Sequence, residues 1–413
     1  MYSKEILEKY ANLIVKTGAN VQKDQPVILR ASLDAKPLAL EVVKEAYKAG
    51  AKSVRVDWGE PQLVKIHFDH QSLETLTEIP EWLVEREKWY IDRGCCLISI
   101  ATLDPEAMVG VDPEKIKATQ IAMMTKAPEM MNYTMGNKGQ WTIAAYPNLA
   151  WAKKCFPDDS EKVALKKLEN AILKCVHITK NNDPIRAWKI HNNRMKKNCS
   201  ILNRLDLAEL HYTNSLGTDL RIKLPVNHLW AGGSEKTADG RKIVFNPNMP
   251  TEEVFSMPHK DGVNGRVYAT KPLVNNGNII DDFWLEFKDG AVVKYDAKVG
   301  KEYLKALLET DPGSRRLGEV ALVPFDSPIN KSGILFYSTL FDENASCHLA
   351  LGRAYPMNIK KGTTMSKEAL EKEGANSSFI HVDFMVGSED LNIVGLTKDG
   401  EKVQIFKNGN FAF

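Results

Sequence analysis

PVILRASLDAKPLALEVVKEAYKAGAKSVRVDW, residues 26–58, decides the architecture of the first half of the chain. Residues 27–31 are a short run of strand formers. A helix then opens near Asp34 with Pro37 in its first turn, where a missing amide is harmless, and runs to Ala49, where Gly50 ends it. Residues 53–58 are strand-like again, so the stretch reads strand, helix, strand. Downstream the alternation continues through helical stretches to Asp92, CCLISIA at 95–101, a helix over 113–119, and strand-like runs IAMMT at 121–125 and WTIAAY at 141–146. Upstream, Ile6, Leu7, Tyr10, Leu13 and Ile14 recur at helical spacing with charges between them. Strand and helix in turn predict a parallel sheet with helices on both faces. A charged helix from Asp159 to about Cys175 follows. The polar stretch 180–184 then marks a boundary, giving an α/β domain over 1–184.

Residues 185–413 have a different character. After a helix over about 184–203 come short strands with hairpin signals: Lys288-Asp289-Gly290 between FWLEF and AVVKY, and Lys398-Asp399-Gly400 between NIVGLT and EKVQIF. Helices around 300–309 and 366–372 interrupt them. The expectation is an α+β, barrel-like domain. No internal repeat or low-complexity tract occurs.

Composition narrows the functional classes. The 413 residues are 43% hydrophobic and 26% charged, an ordinary globular balance. With 55 basic against 53 acidic residues there is no electrostatic argument for nucleic acid or acidic lipid. The N-terminus lacks the uninterrupted apolar run of a secretory signal, and no stretch reaches the ~20 apolar residues of a membrane span. The six cysteines, at 95, 96, 155, 175, 199 and 347, form no CxxC pair. They read as reduced, mostly small buried hydrophobes, and the expected compartment is the cytoplasm. Neither GxGxxG, a Walker loop, GxSxG nor HExxH is present, so the α/β half carries no visible phosphate cradle.

Acids and imidazoles gather in the second half. In FIHVDFMVG, His381 and Asp383 lie two apart among strand formers and project from one face, a geometry suited to one nitrogen and one oxygen ligand. Alone, the pair reads equally as a hydrogen-bonded surface pair. FDENASCHLALGRAYP brings Glu343, His348, Arg353 and Tyr355 into one segment, and His348 alone reads as a core histidine. Glu319 follows Gly318 just before a buried-looking strand and needs a partner there. In NPNMPTEEVFSMP, Glu252 and Glu253 sit between prolines in a loop where one acid can turn inward. Together these residues make a mixed nitrogen and oxygen set suited to Zn²⁺, Co²⁺ or Mn²⁺. Five ligands exceed what one catalytic zinc takes from protein, which favours a two-metal centre.

NxPxEEVF around Glu253, GEVAL around Glu319, LFDENASCHLALGxAY around His348 and Tyr355, and FIHVDFMVGS around His381 and Asp383 occur in an order that resembles the thermophilic metallo-aminopeptidase family, of the aminopeptidase T or aminopeptidase S type. The likeness spans essentially the whole chain. It implies two divalent metal ions per subunit held by Glu253, Glu319, His348, His381 and Asp383. Glu343 is then close enough to be an additional ligand or to support one. It also implies Tyr355 as a catalytic hydrogen-bond donor, Glu253 or Glu319 as proton carrier, peptides with a free N-terminus as substrates, and a homodimer. The choice of Glu253 over Glu252 rests on the resemblance alone. The same residue set would equally serve a dimetal hydrolase of another amide or phosphate ester, or a non-catalytic metal- or peptide-binding protein.

Overall fold

The computed structural model describes residues 2–104, 106–275 and 278–413. The chain divides into two compact units, Met1–Ile190 with Ser234–Pro250, and His191–Gly233 with Thr251–Phe413. The division falls inside the helix Pro184–Leu205, a few residues past the polar stretch at 180–184. The return of Ser234–Pro250 to the first unit has no counterpart in the sequence pattern. Its pairing element is a strand of two residues, too short to show a period.

The first unit is built on β1 (Pro26–Ser32), β2 (Ser53–Gly59), β3 (Cys96–Ala101) and β4 (Trp141–Ala145), parallel throughout and ordered β2-β1-β3-β4, with Asn248–Met249 beside β4. Consecutive residues Val27, Ile28 and Leu29 are all fully buried, so the centre of the sheet is covered on both faces. Between β1 and β2 runs the helix Lys36–Lys48, with Pro37 in its first turn and Gly50 just past its end at φ 94°. One expectation fails. IAMMT at 121–125 is not a strand but the last part of a helix, Pro113–Lys126, capped by Asp112 accepting from the Glu114 amide at 2.9 Å. No Gly or Pro interrupts PEKIKATQIAMMTK after its first position, and alanine and methionine favour the helix that is already running.

In the second unit a nine-stranded sheet follows the order Leu273–Asn275, Asn278–Lys288, Val263–Tyr268, Asp219–Lys223, Leu207–Thr213, Asn392–Thr397, Lys402–Lys407, Asn410–Phe411, with Ala291–Val299 pairing Asn278–Lys288. Its paired strands are antiparallel. The Lys288–Ala291 hairpin turns through Asp289 and Gly290, both at positive φ. A second antiparallel sheet orders β5 (Val254–Ser256), β6 (Leu317–Leu322), β7 (His348–Gly352) and β8 (His381–Met385) in sequence. Leu210, Leu220 and Ile222 of the large sheet share one core with Val320, Leu322, Leu349, Leu351 and Phe384 of the small one. Leu304, Leu307 and Leu308 of the helix Lys301–Leu308 join the same core. Among the described residues no helix is long and apolar enough to cross a membrane.

Candidate metal centre

Strand periodicity brings the acids and imidazoles together. On the small sheet Glu319 lies opposite Ala350, which lies opposite Asp383. Ala321, His348 and Met385 form the next row, and Gly352 faces His381. All of these share one face, while Val320, Leu322, Leu349, Leu351 and Phe384 point into the core. Ala350 and Gly352 are small, which leaves open volume above the sheet between the functional side chains.

A bulge sets the parity of β6. The register between β6 and β7 shifts between Leu317 and Glu319, so Leu317 turns into the core and Glu319 onto the opposite face. Only glycine fits between them: a Cβ at Gly318 would lie 2.3 Å from the Arg353 carbonyl oxygen and 2.4 Å from that of Gly352. The same Arg353 oxygen accepts a hydrogen bond from His381 Nδ1 at 2.7 Å, which turns Nε2 toward the acids.

Alternation also separates the two glutamates. Phe255 pairs Ala321, so Glu253, two residues earlier, shares the functional face. Glu252 faces the other way, its carboxylate 3.1 Å from Arg194 and its amide donating to Asn344 Oδ1 at 2.6 Å. A Cβ at Gly232 would sit 2.4 Å from the Glu253 carbonyl oxygen, so the neighbouring backbone closes on this turn.

The resulting cluster has two halves joined at one carboxylate. His348 Nε2 is 3.2 Å from Glu253 Oε2 and 3.4 Å from Glu319 Oε1. His381 Nε2 is 3.3 Å from Asp383 Oδ1 and 3.6 Å from Glu319 Oε2. Ligand atoms of Glu253, Glu319 and His348 converge within 4.8 Å of one another, and so do those of Glu319, His381 and Asp383. Glu319 thus turns one oxygen to each half.

The donor set fits divalent cations. His348 Nε2 is buried beside two carboxylates yet lacks a directed hydrogen bond, as expected of an atom whose lone pair is meant for a metal. Burial opposes charge on His348, but Glu253 and Glu319 outweigh it and hold the imidazole well above its usual value. His381 is likewise raised to about 9, burial being overcome by Asp383 and Glu319. Glu319 is pushed up to about 7 by burial, opposed by His348 and reinforced by the charge of Glu253. So many buried carboxylates need cations, and metal ions would displace the protons that the imidazoles otherwise carry.

Two further residues flank the cluster. The Tyr355 ring centroid lies 4.8 Å from that of His381 and 6.1 Å from that of Phe255. Burial, then the carboxylates of Glu319, Asp383, Glu343 and Glu253, push its phenol well above its usual value, so it stays a proton donor. Glu343 stands near the cluster but belongs to neither converging trio. Cys347, the one cysteine next to a candidate ligand, points away from the site: its buried thiol is pushed up to about 12 and donates to the Val323 carbonyl at 3.4 Å. Sequence reasoning missed the supporting roles of the Arg353 carbonyl, Asn344 and Gly232, whose partners are set by strand register and loop approach.

Residues 3–411 match the family described as thermophilic metalloprotease (M29). Aminopeptidase 2 of Geobacillus stearothermophilus is 46% identical over 410 residues, and aminopeptidase AmpS of Bacillus subtilis is 45% identical over 407, each alignment covering 98% of both chains. The solved structure of AmpT from Thermus thermophilus superposes with a TM-score of 0.91 at 36% identity, over 99% of this chain and 100% of that one. A 2,5-dihydroxypyridine dioxygenase from Pseudomonas putida shares the fold alone, with a TM-score of 0.51 at 11% identity. Fold likeness by itself therefore does not fix the chemistry. The end-to-end family match does what the fold cannot, and it agrees with the metal-suited donor set: this chain belongs to the thermophilic metalloprotease (M29) family.

Proposed function

We propose that the protein is a metal-dependent aminopeptidase that removes N-terminal residues from peptides with a free amine, and that residues 185–413 carry the chemistry. In this reading Glu253, Glu319 and His348 hold one divalent ion and Glu319, His381 and Asp383 a second, each Zn²⁺, Co²⁺ or Mn²⁺. The protein acts as a cytoplasmic homodimer. The observation that carries the reading is Glu319, whose two oxygens face two separate histidine and acid pairs. Aminopeptidase names among relatives matched over their whole length support the reaction class.

When bound, the ions supply a water of lowered pKa and Lewis-acid polarisation of the scissile carbonyl. The chain's own residues do the rest. The Arg353 carbonyl fixes the His381 ring, and the buried apolar face of the sheet holds the strands that present the ligands. Tyr355, kept protonated, donates to the oxyanion of the tetrahedral intermediate, where one donor is worth about 3 kcal/mol. Glu319 accepts the proton of the attacking water and returns it to the leaving amine.

The test is elemental analysis of the purified protein together with an assay on one peptide, free and N-acetylated. The expected result is bound divalent metal, cleavage of the free peptide from its N-terminus, and no cleavage of the acetylated one. Full activity in protein shown to be metal-free would overturn the proposal, as would equal cleavage of both peptides.

A further inference from the structure

We infer that Glu343 is the residue that binds the α-ammonium group of the substrate. The inference rests on the aminopeptidase reading and assigns a position within that site. Glu343 opens the short 3₁₀ turn Glu343–Ala345, after the helical turn Thr339–Asp342. The two adjacent acids are used differently. Asp342 accepts the amides of Phe336 at 2.8 Å and Ser338 at 2.9 Å, and its carboxylate is occupied in holding that loop. Glu343 receives only the Asn344 side-chain amide at 3.4 Å, near the outer limit of a hydrogen bond.

Its surroundings call for a cation. Asp383, Glu253 and Glu319 stand near enough to repel its charge, and only His348 opposes them. Yet Glu343 belongs to neither trio of converging ligand atoms. It opens instead with Asp383 onto a narrow cavity walled by Leu273, Val274, Tyr337 and Thr339. A half-buried acid of this kind is stable only with a positive partner. The α-nitrogen of a peptide lies two bonds from the scissile carbonyl carbon, so a carboxylate just outside the ligand trios and open to the same space is placed to meet it. The pairing would also make an acylated N-terminus unacceptable, because it removes the charge and adds bulk.

The experiment measures binding, apart from turnover. Leucine hydroxamate and its des-amino counterpart, 4-methylpentanohydroxamate, share the metal-binding group and differ in the α-amine. Calorimetric titration of Co²⁺-loaded wild-type protein is expected to favour the amino compound by about 10-fold or more, the worth of a charge-assisted hydrogen bond. In Glu343→Gln that preference should collapse to within about threefold, with metal content and des-amino affinity retained. Glu343→Asp, which keeps the charge on a shorter arm, should retain part of the preference and serves if the glutamine variant does not fold. An unchanged preference in either variant's titration would overturn the inference in favour of a structural role. Loss of metal would make Glu343 a ligand, and an unchanged KM with a displaced pH profile of kcat would make it a proton carrier; both outcomes also overturn it. Failure of the parent reading shows separately, as no peptide turnover by the wild type.

Discussion

Gly318→Ala tests whether the β6 bulge builds the site. The added methyl would be placed 2.3 Å from the Arg353 carbonyl oxygen and 2.4 Å from the Gly352 carbonyl oxygen, both backbone atoms that no side-chain rotation can move. Reaching ordinary contact requires a shift of about 1 Å where β6 meets the end of β7, and such overpacking costs about 1–3 kcal/mol. For a unit of this size each kcal/mol is worth about 2–4 °C, so the melting temperature should fall by roughly 2–12 °C. The location of the strain matters more than its size. Arg353's carbonyl is what orients His381, and Glu319 is the next residue after the substitution. A 1 Å error far exceeds the ~0.2 Å tolerance of metal coordination. Differential scanning calorimetry would read the stability, and elemental analysis with a peptide assay would read the site. The expected outcome is a folded protein with reduced metal and activity lowered at least 10-fold, out of proportion to its modest destabilisation. Wild-type metal content and a melting temperature within about 1 °C would refute the bulge argument.

Three other outcomes follow from the same geometry. Tyr355→Phe keeps the packing on His381 and Phe255 but deletes the donor, so kcat should fall ~10²-fold with metal retained and KM little changed; kcat within about threefold of wild type would leave the oxyanion without this donor. Glu253→Ala should lower bound metal, whereas Glu252→Ala, which removes only the pairing with Arg194, should leave it near wild type; metal analysis of the two variants reads the strand parity directly. Burial alone would raise the Asp311 carboxyl, but the Phe379 amide, the Ser378 hydroxyl and the amides of Gly313 and Ser314 hold it below its usual value. With the folded value below the unfolded ~3.9, its stabilisation is present above that pH and lost as pH falls through the folded value. Asp311→Asn should therefore lower the melting temperature at pH 7 more than at pH 3, and equal losses at both would refute the linkage.

The sequence is legible where a period is local. In residues 26–58 the change from strand to helix and back is complete within one stretch, and the structure reproduces it. His381 and Asp383 are legible for the same reason, because a two-residue period fixes their common face without any partner strand. IAMMT fails because five apolar residues fit a helix end as well as a strand, and only the unbroken run from Pro113 decides between them. The rest of the site depends on distant parts of the chain. Glu319 meets His348 through the register of β6 on β7, and its face depends on a bulge that a single glycine only hints at. Glu253 and Glu252 are chemically alike, so their different roles follow from where β5 begins and what it pairs with.

Metal stoichiometry of Glu319→Gln measured beside the wild type, by elemental analysis of protein purified without chelator, bears most directly on the central claim. Glu319 is the one side chain with an oxygen toward each histidine and acid pair. Neutralising it while keeping its shape should weaken both positions at once. The account expects about two ions per chain in the wild type and fewer than one in the variant. Two ions retained by Glu319→Gln, or a wild type that binds only one, would contradict it.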